Sequence, residues 1–479
     1  MNCPSALRRA RTKIVATLGP ATTSEEMIAG LAKAGASVLR INMAHGTLEE
    51  HSIQVDRIRK VSRELKLPLA ILIDLAGPKI RLGELPGGAM ELRAGQQVRL
   101  ARAATPGANY ELSTTYPALV DELNVGDRVL LADATVSLLV DEKKQDYVVC
   151  EVLNPGLVRS RQGVNLPGAK LSLKALGEGD RRAAQWGIDV GADYVGLSFV
   201  RSPADVLELK NLLREGGSRA KVVAKIEKPE ALAQLADVVA AADGVMVARG
   251  DLGAEIDLAE VPLAQKRIIA ECNRQQRPVI VATQMLESMQ RSKWPTRAEV
   301  TDVANAVLDG CDACMLSGET AIGQFPCEAV AIMQRVALAT EARFRDLPPP
   351  PPPEGMLDGI KQITQAVVLG AERIARALDA KLLVVVSRSG ATALATSQRR
   401  GFTPVIGLSG DDVTMRQMCL YWGVIPLAGA PVDDLKGAKD YVHEWTAQSD
   451  LLRPGDCVVL VAGTGVKSGS HNLVEVHQV

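Results

Sequence analysis

The stretch KVVAKIEKPEALAQLADVVAAADGVMVARGDLG, Lys221 to Gly253, carries the repeat that decides the fold. An apolar run, Lys221 to Ile226, is followed by a stretch of helical length and then by a second apolar run, Gly244 to Val247. This alternation is that of βα units around a parallel sheet, whose strands are buried on both faces and read as continuous apolar runs. Similar runs occur at Lys13 to Thr17, Val38 to Asn42, Leu69 to Asp74, Tyr194 to Ser198, Pro278 to Ala282 and Ala313 to Leu316. Eight βα units predict an α/β protein built on a (β/α)8 TIM barrel.

The polar residues fall at one place in that repeat. Arg40, Asn42, Asp74, Lys225, Glu227, Asp251 and Thr283 all lie at or just past the C-terminal ends of these runs. In a barrel those ends converge on a single mouth, where barrel enzymes keep their chemistry. One polar residue at one strand end is most simply a helix cap or a solvated turn. Seven at one mouth point to function.

The spacing fails once, between the third and fourth runs. Residues 82–170 alternate polar and apolar in short strands such as Gln97 to Ala101 and Arg128 to Leu131, separated by Gly and Pro turns. This predicts a small inserted all-β domain that leaves the barrel at the C-terminal end of a strand and so lies over the mouth as a lid. The barrel then comprises residues 1–81 and 171–345. Six prolines, Pro348 to Pro353, favour an extended polyproline segment and mark a linker over 346–355. Beyond it, a helix from Gln362 to Ala377 and the runs Leu382 to Ser387, Pro404 to Ser409, Gly423 to Leu427 and Cys457 to Gly463 predict a separate open α/β domain, 356–479.

Lys plus Arg (55) nearly cancel Asp plus Glu (56), so no net field draws this chain to nucleic acid or to a membrane surface. The expected partner is a small molecule. No secretion signal and no apolar run of about 18 residues is legible, which makes the cytoplasm the expected compartment. Eight scattered cysteines do not form a disulfide framework, and the pair Cys311 and Cys314 lies in an apolar setting that suits core packing rather than metal or redox use.

Glu227 and Asp251, with few histidines nearby, suit a hard, oxygen-ligated cation, Mg2+ or Mn2+. Such ions accompany phosphates. Arg40 and Arg81 then cover phosphoryl oxygens, and Lys225 stabilises the anion left when a phosphoryl group departs. The alternative for Lys225 and Glu227 is a mutual ion pair. In the segment A-R-G-D-L-G, Ala248 to Gly253, backbone N–H groups at a helix start suit a substrate carboxylate. Physical reasoning alone reaches a metal-assisted phosphoryl or enolate enzyme and leaves the substrate open.

The same residues carry a resemblance to the pyruvate kinases of bacterial type. The motifs are T-K-I-V-A-T-L-G-P (Thr12 to Pro20), R-I-N-M-A-H-G (Arg40 to Gly46), D-L-A-G-P-K-I-R (Asp74 to Arg81), A-K-I-E (Ala224 to Glu227) and M-V-A-R-G-D-L-G (Met246 to Gly253). A-T-Q-M-L-E-S-M (Ala282 to Met289), P-T-R-A-E (Pro295 to Glu299), D-V-A-N-A-V-L-D-G (Asp302 to Gly310) and M-L-S-G-E-T-A (Met315 to Ala321) follow in order. The resemblance covers nearly the whole chain. It implies transfer of the phosphoryl group of phosphoenolpyruvate (PEP) to ADP, giving pyruvate and ATP in glycolysis. By that likeness Glu227 and Asp251 hold the divalent metal, Lys225 neutralises the enolate and transferred phosphoryl, and Arg40 contacts phosphate. Thr283 with the Gly250 and Asp251 backbone holds the carboxylate, water near Thr283 protonates the enolate, and Asn42, His45 and Arg81 lie on the nucleotide side. A homotetramer with twofold interfaces is implied too, one of them through Pro295 to Gly310.

Departures from the family pattern carry information of their own. Where many relatives hold K+ with Asn, Ser, Asp and Thr ligands, Asn42 and Asp74 remain, but the Ser and Thr positions are Ala44 and Leu75. The Glu that K+-dependent relatives carry after G-P is Lys79. An ammonium from Lys79 can stand in for the monovalent cation, so K+ is not expected to be required. Gln162 opens the lid motif in place of Lys, and Ile322 replaces a Lys after S-G-E-T-A.

In the final domain, S-R-S-G-A-T-A (Ser387 to Ala393) follows an apolar strand and precedes a helix, a geometry that surrounds a phosphate with hydroxyls and backbone donors. It resembles the family's effector loop, with Ser387, Arg388, Ser389, Gly390 and Thr392 as the candidate contacts. The bland alternative is a capped strand-to-helix turn. With only Lys436 as a second basic group, a sugar monophosphate or AMP fits better than a bisphosphate. Two competing readings stand beside the kinase: a barrel lyase or aldolase acting on a metal-bound enolate, and a noncatalytic sugar-phosphate sensor. The first explains neither lid nor final domain, and intact Lys225, Glu227 and Asp251 weigh against the second.

Overall fold

The computed structural model describes residues 9–103, 110–132, 135–168, 172–344, 362–432, 435–447, 452–463 and 472–479. The Pro-rich linker, Pro348 to Pro353, lies outside the described residues. The barrel strands are β1 (Lys13–Thr17), β2 (Val38–Asn42), β3 (Ala70–Asp74), β4 (Tyr194–Leu197), β5 (Lys221–Ile226), β6 (Gly244–Ala248), β7 (Val279–Ala282) and β8 (Ala313–Leu316). They form one closed barrel in chain order, every pair parallel, with β8 returning to β1. All eight expected runs are strands, with ends within one residue of the expectation.

Alternate residues of these strands point opposite ways, which explains the unbroken apolar runs. Val15, Val38, Leu72, Val223, Met246 and Ile280 fill the barrel interior. Ile14, Leu39, Ile71, Val222, Val245 and Val281 face outward into the helical layer. Cys311 and Cys314 are buried in that outer core, their sulfurs 3.7 Å apart.

The lower, N-terminal end of the barrel is closed by a device that the periodicity does not reveal. Asp193, Asp243 and Asp312 each stand immediately before an even-numbered strand. Each accepts the N–H of a residue in the preceding strand: Ile71 at 2.8 Å, Val222 at 2.9 Å and Val279 at 2.9 Å. Asp193 and Asp312 also reach the C-terminal domain, pairing with Arg416 at 2.7 Å and Arg400 at 3.0 Å. Lys221, the first residue of β5, donates to the Tyr421 hydroxyl at 2.5 Å, and Tyr194 donates to Gln417 O at 2.5 Å. The C-terminal domain therefore plugs the bottom of the barrel and leaves the mouth free.

That domain is an open sheet of β9 (Leu382–Val386), β10 (Val405–Leu408), β11 (Val424–Leu427), β12 (Cys457–Gly463) and β13 (Asn472–Gln478). Its order is β11-β10-β9-β12-β13, parallel except for β13, which runs antiparallel to β12. Residues 464–471, between β12 and β13, lie outside the described residues. The lid carries a six-stranded and a two-stranded sheet with their own apolar core, including Leu82, Val98, Val129, Leu138 and Val152. Ile80 packs into that core, so the lid draws on the chain just before residue 82.

Candidate active site

Arg40, Asp74, Lys225 and Glu227 are brought together at the mouth, all of them buried. Adjacent registry of β2 and β3 sets Arg40 beside Leu72 and Asn42 beside Asp74. The Arg40 guanidinium grips Asp74 Oδ2 through Nε at 2.7 Å and Nη2 at 2.6 Å, and Nη1 donates to the Thr17 hydroxyl at 3.1 Å. Lys225 Nζ stands 2.8 Å from Glu227 Oε1, 3.4 Å from Asp74 Oδ1 and 2.7 Å from Ser198 Oγ. The Lys225–Glu227 ion pair exists, but it belongs to a larger cluster. Glu227 Oε2 accepts the Phe199 N–H at 2.8 Å.

Charge in this cluster is set by burial against pairing. Burial alone would raise the Asp74 carboxyl, but Lys225 and Arg40 outweigh it and hold Asp74 below the usual carboxylate range. Burial pushes Glu227 up, and nearby Asp251 adds to the push against the pull of Lys225. For Lys225, burial favours the neutral amine, yet Asp74 and Glu227 overcome it and raise its pKa, so it stays an ammonium.

Asp251 sits in the short helix Arg249–Gly253 after β6, half-buried and close enough to add its charge to Glu227. Arg40 and Lys225 against Asp74, Glu227 and Asp251 leave one excess negative charge within this cluster. Asp74 Oδ1 and Glu227 Oε1 are buried and receive no well-directed hydrogen bond, even with Lys225 in ion-pair range. An excess negative charge, carboxylate oxygens with spare lone pairs and no soft donors fit a hard divalent cation. No group of three or more His, Cys, Asp or Glu among the described residues is arranged to hold a metal. Glu227 and Asp251 could supply two ligands to such an ion, with the rest coming from substrate and water, as such ions favour.

Thr283 follows β7 in a left-handed conformation, φ 69°, an uncommon place for a β-branched residue. Its hydroxyl accepts the Gly250 N–H at 2.8 Å and donates to Ala282 O at 2.6 Å, so Gly250 and Thr283 adjoin. Arg249, fastened to Asp302 at 2.7 Å, donates to Thr283 O at 2.6 Å and fixes that turn. Arg249, Ser198 and Phe199 were not singled out from the sequence. Arg249 lies inside a quoted motif, whereas Ser198 and Phe199 give no signal of their own.

On the lid side, burial and the neighbouring Arg81, Lys79 and Arg40 charges lower the His45 pKa, so these four side chains share one basic region. Arg81 also donates to Arg161 O of the lid at 3.2 Å. The structure puts Asn42 beside Asp74 but turns its side-chain oxygen to Ala44 N, 3.2 Å away. Lys79 is exposed and runs along the lid at Gly163, where an added Cβ would meet Lys79 Cε at 3.1 Å. Asp74 takes its charge partners from Arg40 and Lys225. In the C-terminal domain, Ser387 is buried after β9, Arg388 and Ser389 are exposed, and Gly390, φ 78°, opens the helix Ala391–Gln398. Thr414, whose hydroxyl donates to Asp411 at 2.6 Å, packs against this turn with its oxygen 3.1 Å from Arg388 O.

Barrel, lid and a mouth built of Arg40, Lys225, Glu227, Asp251 and Thr283 define a phosphotransferase of the (β/α)8 class. Residues 9–330 match the pyruvate kinase barrel domain, and residues 365–477 match the pyruvate kinase alpha/beta domain. The chain belongs to the pyruvate kinase family. It is 41% identical over 98% of its length to a pyruvate kinase of Mycobacterium tuberculosis, covering 98% of that protein. It is 40% identical, again over 98% of its length, to one from Geobacillus stearothermophilus, covering 80% of that longer chain. A crystal structure of a pyruvate kinase from Cryptosporidium parvum superposes with a TM-score of 0.90 at 32% identity, covering 99% of this chain and 97% of that one. No helix among the described residues is long and apolar enough to cross a membrane.

Proposed function

We propose that this protein transfers the phosphoryl group of PEP to ADP, giving pyruvate and ATP, in the cytoplasm. The observation that carries this reading is the Lys225 ammonium held between Asp74 and Glu227 at the mouth of a pyruvate kinase family barrel. Glu227 and Asp251 would hold Mg2+ or Mn2+, which when bound supplies positive charge to phosphoryl and enolate oxygens. The bond between phosphorus and the enol oxygen of PEP breaks as a terminal oxygen of ADP bonds to that phosphorus. Arg40 and Lys225 bear on the transferring group, and Lys225 stays charged to balance the enolate oxygen that remains. Gly250, Asp251 and Thr283 would orient the substrate carboxylate, the Gly250 N–H and the Thr283 hydroxyl exchanging their present acceptors for it, and a proton delivered through water near Thr283 completes pyruvate at the methylene carbon. The basic region of His45, Arg81 and Lys79, with Asn42, would receive the nucleotide phosphates.

Lys79 replaces a carboxylate and stands among these positive groups, so its ammonium would take over the role of a monovalent cation as the lid closes. The expected result is pyruvate formation from PEP and ADP with Mg2+ at comparable turnover in Na+ and K+ buffers. Activity only with K+ would keep the enzyme and sink the Lys79 argument, and no activity in either buffer would favour the sensor reading.

The turn Ser387 to Thr392 would bind a sugar monophosphate or AMP as an activator. Adding a panel of these compounds should raise turnover at low PEP, and a flat response across the panel would overturn the effector assignment. Leu258, Leu263 and Trp294 are 77%, 67% and 64% exposed, and such exposed apolar side chains favour burial between copies in a homotetramer. Sedimentation velocity giving a monomer at working concentration would refute that assembly.

A further inference from the structure

We propose that the Ser198–Phe199 turn is a positioning element that sets Lys225 and Glu227 together, and that Gly77 at the root of the lid holds this turn in place. The inference rests on the roles given above to Lys225 and Glu227. The turn follows β4, and its two residues act in different ways. Ser198 is buried, and its hydroxyl donates to Leu75 O at 2.7 Å while accepting from Lys225 Nζ at 2.7 Å. A hydroxyl has one proton, so donation to Leu75 leaves only lone pairs facing the ammonium. Ser198 is thereby the neutral leg of a tripod under Lys225, whose other legs are Glu227 at 2.8 Å and Asp74 at 3.4 Å. Phe199 acts through its backbone, its N–H meeting Glu227 Oε2 at 2.8 Å.

That N–H points at Glu227 from a left-handed residue, φ 56°, which a bulky side chain adopts only when its surroundings impose it. Two contacts impose it. Gly77, φ 69°, lies so close that a Cβ there would stand 2.5 Å from Phe199 Cδ2 and 2.8 Å from Ser198 Cβ. Lys228 places its ammonium 5.6 Å over the Phe199 ring and is fixed by Glu255 at 2.6 Å. Gly77 lies on the limb that leaves β3 for the lid, and its N–H is held at 3.0 Å by Asp180 of the helix Glu178–Asp189 on the returning limb. Both limbs of the lid thus bear on the turn that orients the lysine and the metal carboxylate.

Removing a group that orients an active-site ligand commonly costs about 10- to 100-fold in activity or metal affinity. Ser198→Ala is expected to lower kcat by about that factor, with the Mn2+ Kd and the PEP KM changed less than about twofold. Gly77→Ala should lower kcat and also raise the Mn2+ Kd about tenfold, measured by equilibrium dialysis with the metal alone. Lys228→Met should raise the Mn2+ Kd, and Lys228→Arg, which keeps a cation over the ring, should restore it. A Ser198→Ala enzyme with kcat within about twofold of the parent overturns the proposal, as does an unchanged Mn2+ Kd in folded Gly77→Ala. If Gly77→Ala does not fold, the Lys228 pair decides the metal arm, and failure of Lys228→Met to weaken Mn2+ binding counts against the proposal. Absence of pyruvate formation by the parent protein would strike the phosphotransfer reading instead, because metal binding is read without substrates.

Discussion

Lys225→Met should lower kcat by about 1000-fold, the loss seen when a preorganised donor to a developing oxyanion is removed. Lys225 lies against Asp74, Glu227 and Ser198, so no neighbour can move into its place without giving up its own partner. The effect should fall mainly on kcat, since Arg40 and the Gly250 to Thr283 face, the groups proposed to bind the phosphoryl group and the carboxylate, are retained. Stability should fall too, because two buried carboxylates lose their shared cation, and breaking such a pair costs about 3–5 kcal/mol. The pH dependence has a definite sign. The Asp74 pKa is depressed in the folded parent, so its contribution is present above its ordinary value of 3.8 and is lost as pH falls through the folded value. In Lys225→Met, Glu227 loses the cation that opposed its burial and Asp74 keeps only Arg40, so both carboxylates shift upward and folding becomes costlier as pH rises above their unfolded values. The gap in thermal midpoint between parent and variant should therefore widen from about pH 4 to pH 8. A gap that narrows over that range would mean that Lys225 does not hold these carboxylates ionised.

The barrel was legible because its strands are buried on both faces and its helices separate them at regular spacing. The convergence of Arg40, Asp74, Lys225 and Glu227 followed from strand-end position alone, since a barrel sends all its C-terminal strand ends to one mouth. What acts across strands was not legible. Asp193, Asp243 and Asp312 close the lower end through backbone N–H groups of neighbouring strands, and an aspartate before an apolar run resembles any turn residue. Phe199 works through an amide and a positive φ, neither of which a residue type announces. The seating of the C-terminal domain depends on single long side chains, such as Arg400 and Arg416, meeting those aspartates. Lys79 was legible as a departure in type, but its direction along the lid depends on how two domains meet.

Glu227→Gln should separate function from stability in opposite directions. The variant keeps the size of the side chain and an oxygen for the Phe199 N–H, but removes one of the two anionic groups proposed to hold the metal. Mn2+ affinity should fall at least about 100-fold and turnover with it, at the upper end of what an orienting residue costs because Glu227 is proposed as a ligand itself. The metal-free protein should nevertheless melt higher than the parent at neutral pH. Burial, reinforced by Asp251, raises the Glu227 pKa in the fold, so the unfolded chain is the more ionised. The penalty for Glu227 thus grows as pH rises from its ordinary value of 4.5 through the folded value, and a glutamine escapes it. The substitution also cancels the excess negative charge among Arg40, Lys225, Asp74, Glu227 and Asp251, the charge that a divalent ion would otherwise balance. Adding Mn2+ should therefore raise the thermal midpoint of the parent but barely move that of Glu227→Gln, because only a folded state that binds the ion is stabilised by it. If the metal-free variant melts lower than the metal-free parent, or gains as much from Mn2+, Glu227 serves the cluster as a partner of Lys225 rather than as a ligand awaiting its cation.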